Sequence, residues 1–561
     1  MDIEQIKKKL DFDGQVSKYL ALGGRRVNLV DWDFLNIYAQ LRPDREALMD
    51  VWADRPRRYT FKQILDLTNL VVFSLLDLGI KKGDIAFVQL PNMAELWYLR
   101  VAFSKIGVIE ARIGENYRET EIAHRLKALK PNILIIPSEF RGFDYVALYR
   151  EIFRSVYKPK HIFVIGKNAP EGMRPFSDLT NPKLSGTYSY LGLDLLKTHP
   201  NENYVISFTG GTTGSPKSIL QSSFYSGGGA VAMQVIENGD INTNDKILAL
   251  APLAGATGTN MCYFTPIYSG ASVVFLPHVD IELALKLTKE ENVTIWAGIP
   301  TYAIRLLTSP HLAKYNVKSV RLWIGSGARM PLEFGERLYN MGIKMVNSYG
   351  VVDGSIATRT CIHDTKEKMI NTVGKPIRGL VVKIIDDNGN EVPPGEKGEI
   401  MGMAVHGGDL INAETCDISI SEAWDQNGFF HTGDLGSFDE DGYLKVIDRK
   451  KDMILRGAQN IFPSEIEGLL LKHPNVTRVA VIGMPDRELG ERVCAYVVPK
   501  EGKSFTFDEM MTYFKKQNIA KYKFPERLEI VDSLPLSHGG KYSKLALKND
   551  IIQKLKNEGK I

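Results

Sequence analysis

The strongest constraint on the fold is the alternation of short apolar runs with longer helical patterns along almost the whole chain. Residues 85–90 and 322–324 are apolar runs of strand length, and glycine or polar residues follow 322–324 directly. Strands that alternate with helices are typical of layered sheets covered by helices. The predicted fold class is therefore α/β.

Two segments begin with residue patterns that are typical of helix ends. Thr60 is followed three residues later by Gln63, a capping-box pattern, and the apolar segment after it runs to Gly79, a typical C-terminal glycine. This predicts a helix between them. Pro463 and Ser464 open a second predicted helix, again with capping chemistry.

The chain of 561 residues is long enough for several domain-sized units. The best boundary is the charged stretch 448–452, since a compact unit of about a hundred residues with its own apolar strands follows it. We predict a large N-terminal α/β domain of several subdomains, residues 1–449. A small α+β C-terminal domain, residues 450–561, follows it.

Composition excludes several classes of protein. The 70 basic and 66 acidic residues leave a net charge of +4, too small an excess to predict a nucleic-acid partner. The 4 cysteines lie far apart, which argues against a disulfide framework and for a reducing compartment. Without a secretion signal or a bilayer-length apolar run, we expect no membrane span and a cytoplasmic protein.

A loop rich in glycine and hydroxyl residues follows the apolar run 205–208. Glycine lets backbone N–H groups crowd around an anion, so the loop suits a polyphosphate. Ser215 and Pro216 separate its last glycine from Lys217, unlike the usual phosphate loop. A turn without function is the alternative. The candidate phosphate ligands are Thr209, Gly210, Gly211, Thr212, Thr213, Gly214 and Lys217.

Four further places could join the loop in one nucleotide site. Tyr349 and Asp353 share one predicted turn, where a ring can stack on a base and a carboxylate can hold Mg²⁺. Asp434, on a second glycine turn, suits a ribose diol. Arg449 and Lys541 supply cations. Taken singly, each is more often a structural turn residue or an exposed cation.

The order and spacing of these motifs resemble the adenylate-forming superfamily, which includes acyl- and aryl-CoA synthetases, aryl acid–AMP ligases, peptide-synthetase adenylation domains and beetle luciferase. The resemblance runs from about Asp44 to the end of the chain. It implies a two-step reaction, in which a carboxylate and ATP form an acyl-adenylate and pyrophosphate, and a thiol then displaces AMP. ATP, Mg²⁺ and coenzyme A are the implied cofactor and co-substrates.

The resemblance also implies a role for each motif. Lys541 is the catalytic cation, Asp353 the Mg²⁺ ligand and Lys451 the hinge about which the small domain rotates between the two steps. Adenine and ribose would contact Gly327, Ala328, Asn347, Ser348, Tyr349, Gly350, Asp434 and Arg449. The acid would lie against Gly255, Ala256, Gly325 and Gly327, and the thiol would pass Gly457 and Ala458.

Three positions depart from the family pattern. Asp353 stands for a glutamate, so Mg²⁺ must sit closer or bind through water. Gly255 stands where many relatives carry an aromatic residue or histidine, which removes a side chain at the acid. Ala458 replaces a glycine of the thiol tunnel and narrows it by one methyl group.

The small-residue wall predicts an apolar acid (aromatic, alicyclic or fatty), and the resemblance implies that this acid is activated for coenzyme A. Two alternatives stay open. One is an aryl acid–AMP ligase that loads a separate carrier protein. The other is a nucleotide-binding pseudoenzyme, which the altered metal and acid positions would suit.

Overall fold

The structure is a computed structural model of the chain. It describes residues 28–560 except 53–54, 167–168, 183–189, 194–195, 197, 201, 203, 210–216, 223–227, 352–355, 404–408, 412–417, 420–422, 458, 518 and 537–541. Within those described residues, no helix has the length and apolar character needed to cross a membrane.

The described residues form short strands throughout the chain. In chain order these are β1 (Glu46–Trp52), β2 (Arg55–Thr60), β3 (Ile85–Val88), β4 (Ile109–Arg112), β5 (Ile133–Pro137), β6 (Glu139–Phe140), β7 (Phe143–Asp144), β8 (His161–Ile165), β9 (Arg174–Pro175), β10 (Tyr204–Thr209), β11 (Lys217–Ser222), β12 (Lys246–Leu250), β13 (Ser272–Phe275), β14 (Ile295–Gly298), β15 (Leu322–Gly325), β16 (Lys344–Val351), β17 (Ile356–Arg359), β18 (Lys375–Pro376), β19 (Val381–Ile385), β20 (Gly398–Met403), β21 (Asp409–Ile411), β22 (Ile418–Ser419), β23 (Phe430–Phe438), β24 (Leu444–Arg449), β25 (Ile454–Arg456), β26 (Gln459–Ile461), β27 (Val476–Asp486), β28 (Gly490–Pro499) and β29 (Arg527–Ile530).

Helices connect most of these strands. They are α1 (Asp31–Leu41), α2 (Phe61–Asp77), α3 (Ala94–Ile106), α4 (Glu119–Leu129), α5 (Tyr145–Ile152), α6 (Tyr190–Leu193), α7 (Gly229–Asn238), α8 (Ala256–Gly258), α9 (Thr265–Ser269), α10 (Ile281–Glu290), α11 (Pro300–Thr308), α12 (Leu332–Asn340), α13 (Lys366–Asn371), α14 (Pro463–Leu470), α15 (Phe507–Lys515) and α16 (Lys544–Asn557). A π-helix (Thr259–Phe264) joins α8 to α9. Short 3₁₀ turns lie at Phe176–Thr180, Leu312–Lys314, Lys450–Asp452 and Lys521–Lys523.

The first large sheet is parallel at its centre. Among the described residues its strand order is β18-β17-β16-β15-β14-β12-β13-β1-β2. The strands from β1 to β16 in that order run parallel, and β2, β17 and β18 are antiparallel additions at the two sides. The carboxyl ends of the parallel strands therefore share one edge, where open α/β sheets bind ligands.

A second large sheet lies against the first across a shared helical layer. Its order in the described chain is β22-β21-β11-β10-β4-β3-β5-β8-β9. Apolar side chains of both sheets, such as Val88 and Val346, join those of α1, α2, α3 and α7 in one buried cluster, here called the inner core. Burial of apolar area of this extent drives the layered packing.

The last part of the chain forms a smaller unit. The antiparallel sheet β19-β20-β23-β24 ends at Arg449, and the next strand, β25, belongs to a separate sheet of order β26-β25-β28-β27 with β29 beside β28. That sheet has its own apolar clusters with α14, α15 and α16. The molecule is thus an α/β protein with a large N-terminal domain and a smaller C-terminal one.

The first predicted helix is confirmed together with its caps. The Thr60 hydroxyl accepts from the Gln63 amide N–H, and the Gln63 side chain accepts from the Thr60 N–H. These bonds satisfy two donors that helix starts otherwise leave unpaired. Gly79 follows the helix at φ +76°, a conformation that favours glycine.

The second predicted helix is present, but the residue that caps it is not part of the predicted segment. Helix α14 begins at Pro463 as predicted, but Ser464 does not cap it. Instead, the Ser464 N–H donates to the carboxylate of Asp448 at 3.0 Å, and the Ser464 hydroxyl donates to the Ile447 carbonyl at 2.8 Å. A carboxylate near a helix N-terminus is favourable, so a residue of β24 takes the capping role.

Candidate active site

A pocket opens at the carboxyl edge of the first sheet, where β15 and β16 end side by side. Gly325, on β15, pairs with Asn347 on β16. A Cβ on Gly325 would lie 2.3 Å from the Trp323 indole nitrogen, so only glycine fits there. The pocket is lined by Gly325, Ala328, Arg329, Met330, Asn347, Ser348, Ile370, Asn371, Thr372, Val373 and Val446. Four of these were predicted as nucleotide or acid contacts.

Asn347 is held in one orientation inside this pocket. Its side-chain NH₂ donates to the Met369 carbonyl at 2.7 Å, and the residue is 8% exposed. Its backbone N–H donates to the Thr360 hydroxyl at 2.8 Å. With the NH₂ committed, the amide oxygen is the group left to accept a hydrogen bond. An acceptor suits the exocyclic amino group of adenine.

Tyr349 and Gly350 lie inside a strand, so the prediction that Tyr349 stands on a turn is wrong. Strand β16 extends to Val351 because β17 returns antiparallel and pairs Tyr349 with Thr358 and Gly350 with Ala357. Residues 352–355, which include the predicted metal ligand Asp353, lie outside the described residues.

Asp434 lies on a bulged strand and not on a free turn. On β23, residues 432–434 stand opposite a single residue of β20, between the pairs Met401–His431 and Glu399–Leu435. Gly433 takes φ +69° in this bulge, and its N–H donates to the Glu399 carboxylate at 3.1 Å. Bulges re-aim side chains, and this one directs Asp434 towards β16.

Tyr349, Asp434 and Arg449 form one hydrogen-bonded cluster. The Tyr349 hydroxyl donates to Asp434 Oδ2 at 2.7 Å, and Arg449 Nε contacts Asp434 Oδ1 at 3.0 Å. Asp434 is 5% exposed, whereas the Arg449 side chain is 50% exposed. Burial, followed by the negative charge of Asp434, raises the pKa of Tyr349 well above its usual value, so the phenol stays neutral.

The predicted hinge residue adjoins this cluster. Lys451 lies in the 3₁₀ turn Lys450–Asp452 that follows β24. Burial and the positive charge of Arg449 lower the pKa of Lys451, while Asp452 and Asp434 act in the opposite direction. Lys451 therefore lies within electrostatic reach of the Asp434 carboxylate.

The predicted phosphate loop connects the two strands of a hairpin. Thr209 ends β10, Lys217 begins β11, and the two residues pair directly in the antiparallel register. This differs from the strand-to-helix phosphate loop, as the spacing before Lys217 predicted. Residues 210–214, the predicted ligands between these strands, lie outside the described residues.

The small residues predicted to line the acid pocket stand at the same sheet edge. Gly255 and Ala256 follow β12, and Gly325 ends β15, with β14 between these two strands. Gly327, at φ +92°, lies in the loop after β15. The side-chain amide of Asn92 fixes the loop after β12 by bonds to the Ala251 carbonyl and the Leu253 N–H.

The predicted thiol-tunnel residues lie in the small domain. Gly457 connects β25 to β26 at φ +59°, and its N–H donates to the Leu489 carbonyl at 2.7 Å. Its neighbour Ala458 lies outside the described residues, as does the predicted catalytic Lys541. The structure therefore brings Tyr349, Asp434 and Arg449 together with Lys451 next to them, and the roles predicted for these residues, as for Ala458 and Lys541, are proposals.

Two polar residues near the site were not found from the sequence. Arg359, on β17, donates from Nη1 to the Ser348 hydroxyl at 2.7 Å. Asn260, in the π-helix after Gly255 and Ala256, has a buried side-chain oxygen without a partner among the described residues. Neither belongs to a motif, and only the fold of β17 and of the π-helix brings them to this end of the sheet.

Comparison with known proteins now identifies the class. The family model of the AMP-binding enzymes matches residues 35–407, and that of the AMP-binding enzyme C-terminal domain matches residues 465–541. The chain belongs to this family, the adenylate-forming superfamily. It is therefore an enzyme of the AMP-forming acid ligases, which activate a carboxylic acid through an acyl-adenylate.

Individual relatives are named for different acids. A medium-chain fatty-acid–CoA ligase of Escherichia coli strain K12 is 28% identical over 528 residues, which are 93% of this chain and 90% of that protein. A 2,3-dihydroxybenzoate–AMP ligase of Bacillus subtilis strain 168 is 28% identical over 491 residues, 85% of this chain and 86% of that protein.

Solved structures share the fold. An anthranilate CoA ligase in complex with anthranoyl-AMP matches with a TM-score of 0.81 at 24% identity, over 95% of this chain and 99% of that one. An o-succinylbenzoate CoA synthetase of Bacillus subtilis, in complex with ATP and magnesium, matches with a TM-score of 0.72 at 25% identity, over 94% of this chain and 100% of that one.

Proposed function

We propose that this enzyme is an acid–coenzyme A ligase, which converts a carboxylic acid and ATP to acyl-AMP and pyrophosphate and then transfers the acyl group to coenzyme A. The observation that carries the proposal is the contact of Tyr349 and Arg449 with the Asp434 carboxylate, next to the pocket between β15 and β16. An aromatic ring, a carboxylate and an amide acceptor suit a nucleoside.

Each of these groups would contact a different part of ATP. The oriented amide oxygen of Asn347 would accept from the adenine amino group, and the Tyr349 ring would stack on the base. Asp434 keeps further lone pairs for the ribose hydroxyls, since a carboxylate offers about four acceptor sites. The loop between β10 and β11 would hold the β- and γ-phosphates through its backbone N–H groups.

In the first step, an oxygen of the substrate carboxylate attacks the α-phosphorus, and the bond to the bridging oxygen breaks to release pyrophosphate. Negative charge accumulates on the phosphoryl and bridging oxygens. We assign Lys541 as the cation that stabilises it, since preorganised charge is worth most where charge develops. Asp353, two residues beyond β16, would hold the Mg²⁺ that accompanies ATP, because carboxylate oxygen suits this hard cation.

The second step needs a different arrangement of the domains. We place the domain boundary at residues 449 and 450, with the N-terminal domain spanning 1–449 and the C-terminal domain spanning 450–561. Rotation about Lys451 would withdraw Lys541 and bring Gly457 and Ala458 to the thiol, a hinge motion that completes one site after another. The thiol sulfur then attacks the acyl carbon, AMP leaves, and the thiol proton is released.

The main alternative concerns the thiol. The similarity to an aryl acid–AMP ligase, and Ala458 at the tunnel, would suit a separate carrier protein as the acceptor. The acid itself we propose to be largely apolar, because Gly255, Ala256, Gly325 and Gly327 contribute no polar side chain to the wall of the acid site.

A panel of acids tested with and without coenzyme A decides between these functions. Acid-dependent exchange of pyrophosphate into ATP, with thioester formed only when coenzyme A is present, is the expected result. Exchange without any thioester would favour the carrier-loading alternative. No exchange with any acid, despite nucleotide binding, would indicate a pseudoenzyme and contradict the proposal.

A further inference from the structure

Arg359 is a buried cation with one hydrogen-bonded partner among the described residues. It is 4% exposed, and Nη1 donates to the Ser348 hydroxyl at 2.7 Å. Its Nε is buried and makes no hydrogen bond within the described part of the chain. Burial lowers the pKa of Arg359 to about 9, and no described carboxylate counters that shift.

Other buried arginines of this protein show what Arg359 lacks. Arg100 and Arg112 both contact the carboxylate of Glu110, at 2.7 Å and 3.1 Å, although each is as buried as Arg359. Arg125, the other buried arginine among the described residues, has no carboxylate contact and instead lies over the rings of Tyr117 and Phe208, a contact that the described residues do not give Arg359. An unpaired buried charge is costly, so buried cations normally have a carboxylate beside them. Among the described residues no carboxylate lies beside Arg359, which indicates a ligand that supplies one.

The position of Arg359 indicates which ligand. Ser348 and Arg359 are direct partners across β16 and β17, so their side chains share a face of the sheet. Ser348 lies two residues beyond Val346 and thus on the inner-core face. Ser348 also lines the pocket at the end of β15, together with Gly325 of the proposed acid wall. Through Ser348, which lines this pocket while Arg359 does not, the pair adjoins the proposed acid wall.

The hydrogen bond also prepares Ser348 as a donor. Its oxygen accepts from the guanidinium, so its own O–H is free to donate to a ligand, and a charged neighbour strengthens such a bond. We propose that Ser348 and Arg359 select an acid with a second carboxylate, remote from the reacting one. That carboxylate would accept from the Ser348 hydroxyl and balance the charge of Arg359.

This inference rests on the proposed acid activation and narrows its substrate. An acid with an apolar middle and two carboxylates would satisfy both the small-residue wall and the unpaired cation. A site with an unsatisfied buried group discriminates strongly against a ligand that lacks the matching group. We expect the dicarboxylic acid to exceed a monocarboxylic acid of the same length by about 10- to 100-fold in kcat/KM.

Acid-dependent pyrophosphate exchange with matched pairs of acids provides the test. Suitable pairs are hexanoate with hexanedioate, octanoate with octanedioate, and benzoate with 1,4-benzenedicarboxylate. In Arg359→Met the preference for the diacid should disappear while the rate with the monoacid changes less than about threefold. Arg359→Lys should keep part of the preference, because it keeps the charge and loses the planar fork.

A purely structural role for Arg359 predicts a different effect of this substitution on the melting temperature. Replacing an unpaired buried charge by an apolar side chain should leave the melting temperature unchanged or raise it, whereas a structural arginine would lower it. Ser348→Ala provides a second, smaller change, judged only by the ratio of the diacid rate to the monoacid rate, because Ser348 is also a predicted nucleotide contact. Arg337→Met, at an exposed arginine on α12, is the matched control and should alter neither property.

Two results would overturn the inference. If the wild-type enzyme activates monoacids and shows no diacid preference in any pair, or if Arg359→Met lowers both series equally, the inference is wrong and the proposed function stands. If neither series supports any exchange, the proposed function is wrong as well.

Discussion

The hydroxyl of Tyr349 and the carboxylate of Asp434, 85 residues apart in the chain, are joined by a hydrogen bond of 2.7 Å. The bond connects the first large sheet to the sheet that ends at Arg449, just before the proposed hinge residue Lys451. It forms because β16 extends past its parallel partners and the bulge of β23 turns Asp434 towards it. The proposed base and ribose contacts are thereby held as one unit.

Removing the Tyr349 hydroxyl should weaken nucleotide binding without abolishing it. Tyr349→Phe keeps the ring for stacking and loses one charge-assisted hydrogen bond, so we expect the Kd for ATP to rise about 10-fold. Calorimetric titration with ATP measures this. Tyr157→Phe, at a tyrosine that is 39% exposed, is the control and should bind as wild type does. An unchanged Kd for Tyr349→Phe would show that the hydroxyl has no part in the site.

Lys541 should matter for the first step alone. We expect Lys541→Met to lower the rate of acyl-AMP formation by about 10²- to 10³-fold, the effect of losing one charge-stabilising group. Thioester formation from supplied acyl-AMP and coenzyme A should stay within a few-fold of wild type. Lys556→Met, at an exposed lysine of α16, provides the control. Equal losses in both steps would contradict the assignment.

The hinge can be tested by stiffening it. Lys451→Pro fixes φ near −65° in the turn after β24, so rotation about this residue becomes restricted. We expect acyl-AMP formation to be largely kept and thioester formation to fall at least about 100-fold. A restricted hinge would prevent only the domain arrangement that the second step needs. Single-turnover measurements of each step distinguish the two. A variant that performs both steps normally would place the hinge elsewhere.

The stability of the N-terminal domain should depend on pH through Asp31. This residue is 4% exposed and accepts from the hydroxyls of Tyr263 and Tyr268 at 2.7 Å and 3.0 Å. Burial is the largest cause that raises its pKa from 3.8 to about 6. The folded state therefore binds more protons than the unfolded state between these values, and stability falls as the pH rises through this window.

Asp31→Asn should remove that dependence, because an amide does not titrate. The difference in melting temperature, variant minus wild type, should become more positive between pH 4 and pH 7. The raised pKa of Asp31 corresponds to a change of roughly 3 kcal/mol in the free energy of unfolding across this pH range. Scanning calorimetry across this range measures the difference, with Asp532→Asn at an exposed acid as the control. A difference that stays constant with pH would refute the expectation.

Much of the fold follows from local pattern. Helix α2 could be predicted between Thr60 and Gly79 because its caps are made by residues within one turn of its ends. The capping of α14 could not, because its carboxylate comes from Asp448, 16 residues earlier and in another sheet. Bonds between neighbours in the chain follow from spacing, whereas bonds between elements depend on how those elements pack.

The sequence by itself determined the α/β class, the order of the nucleotide motifs and the family, because these depend on periodicity and on residue types at fixed spacings. Tertiary structure alone decided that Tyr349 lies in a strand, that a bulge presents Asp434 to it, and that Arg359 stands buried beside Ser348. Register between strands brings these residues together, and register depends on side-chain packing across both faces of a sheet.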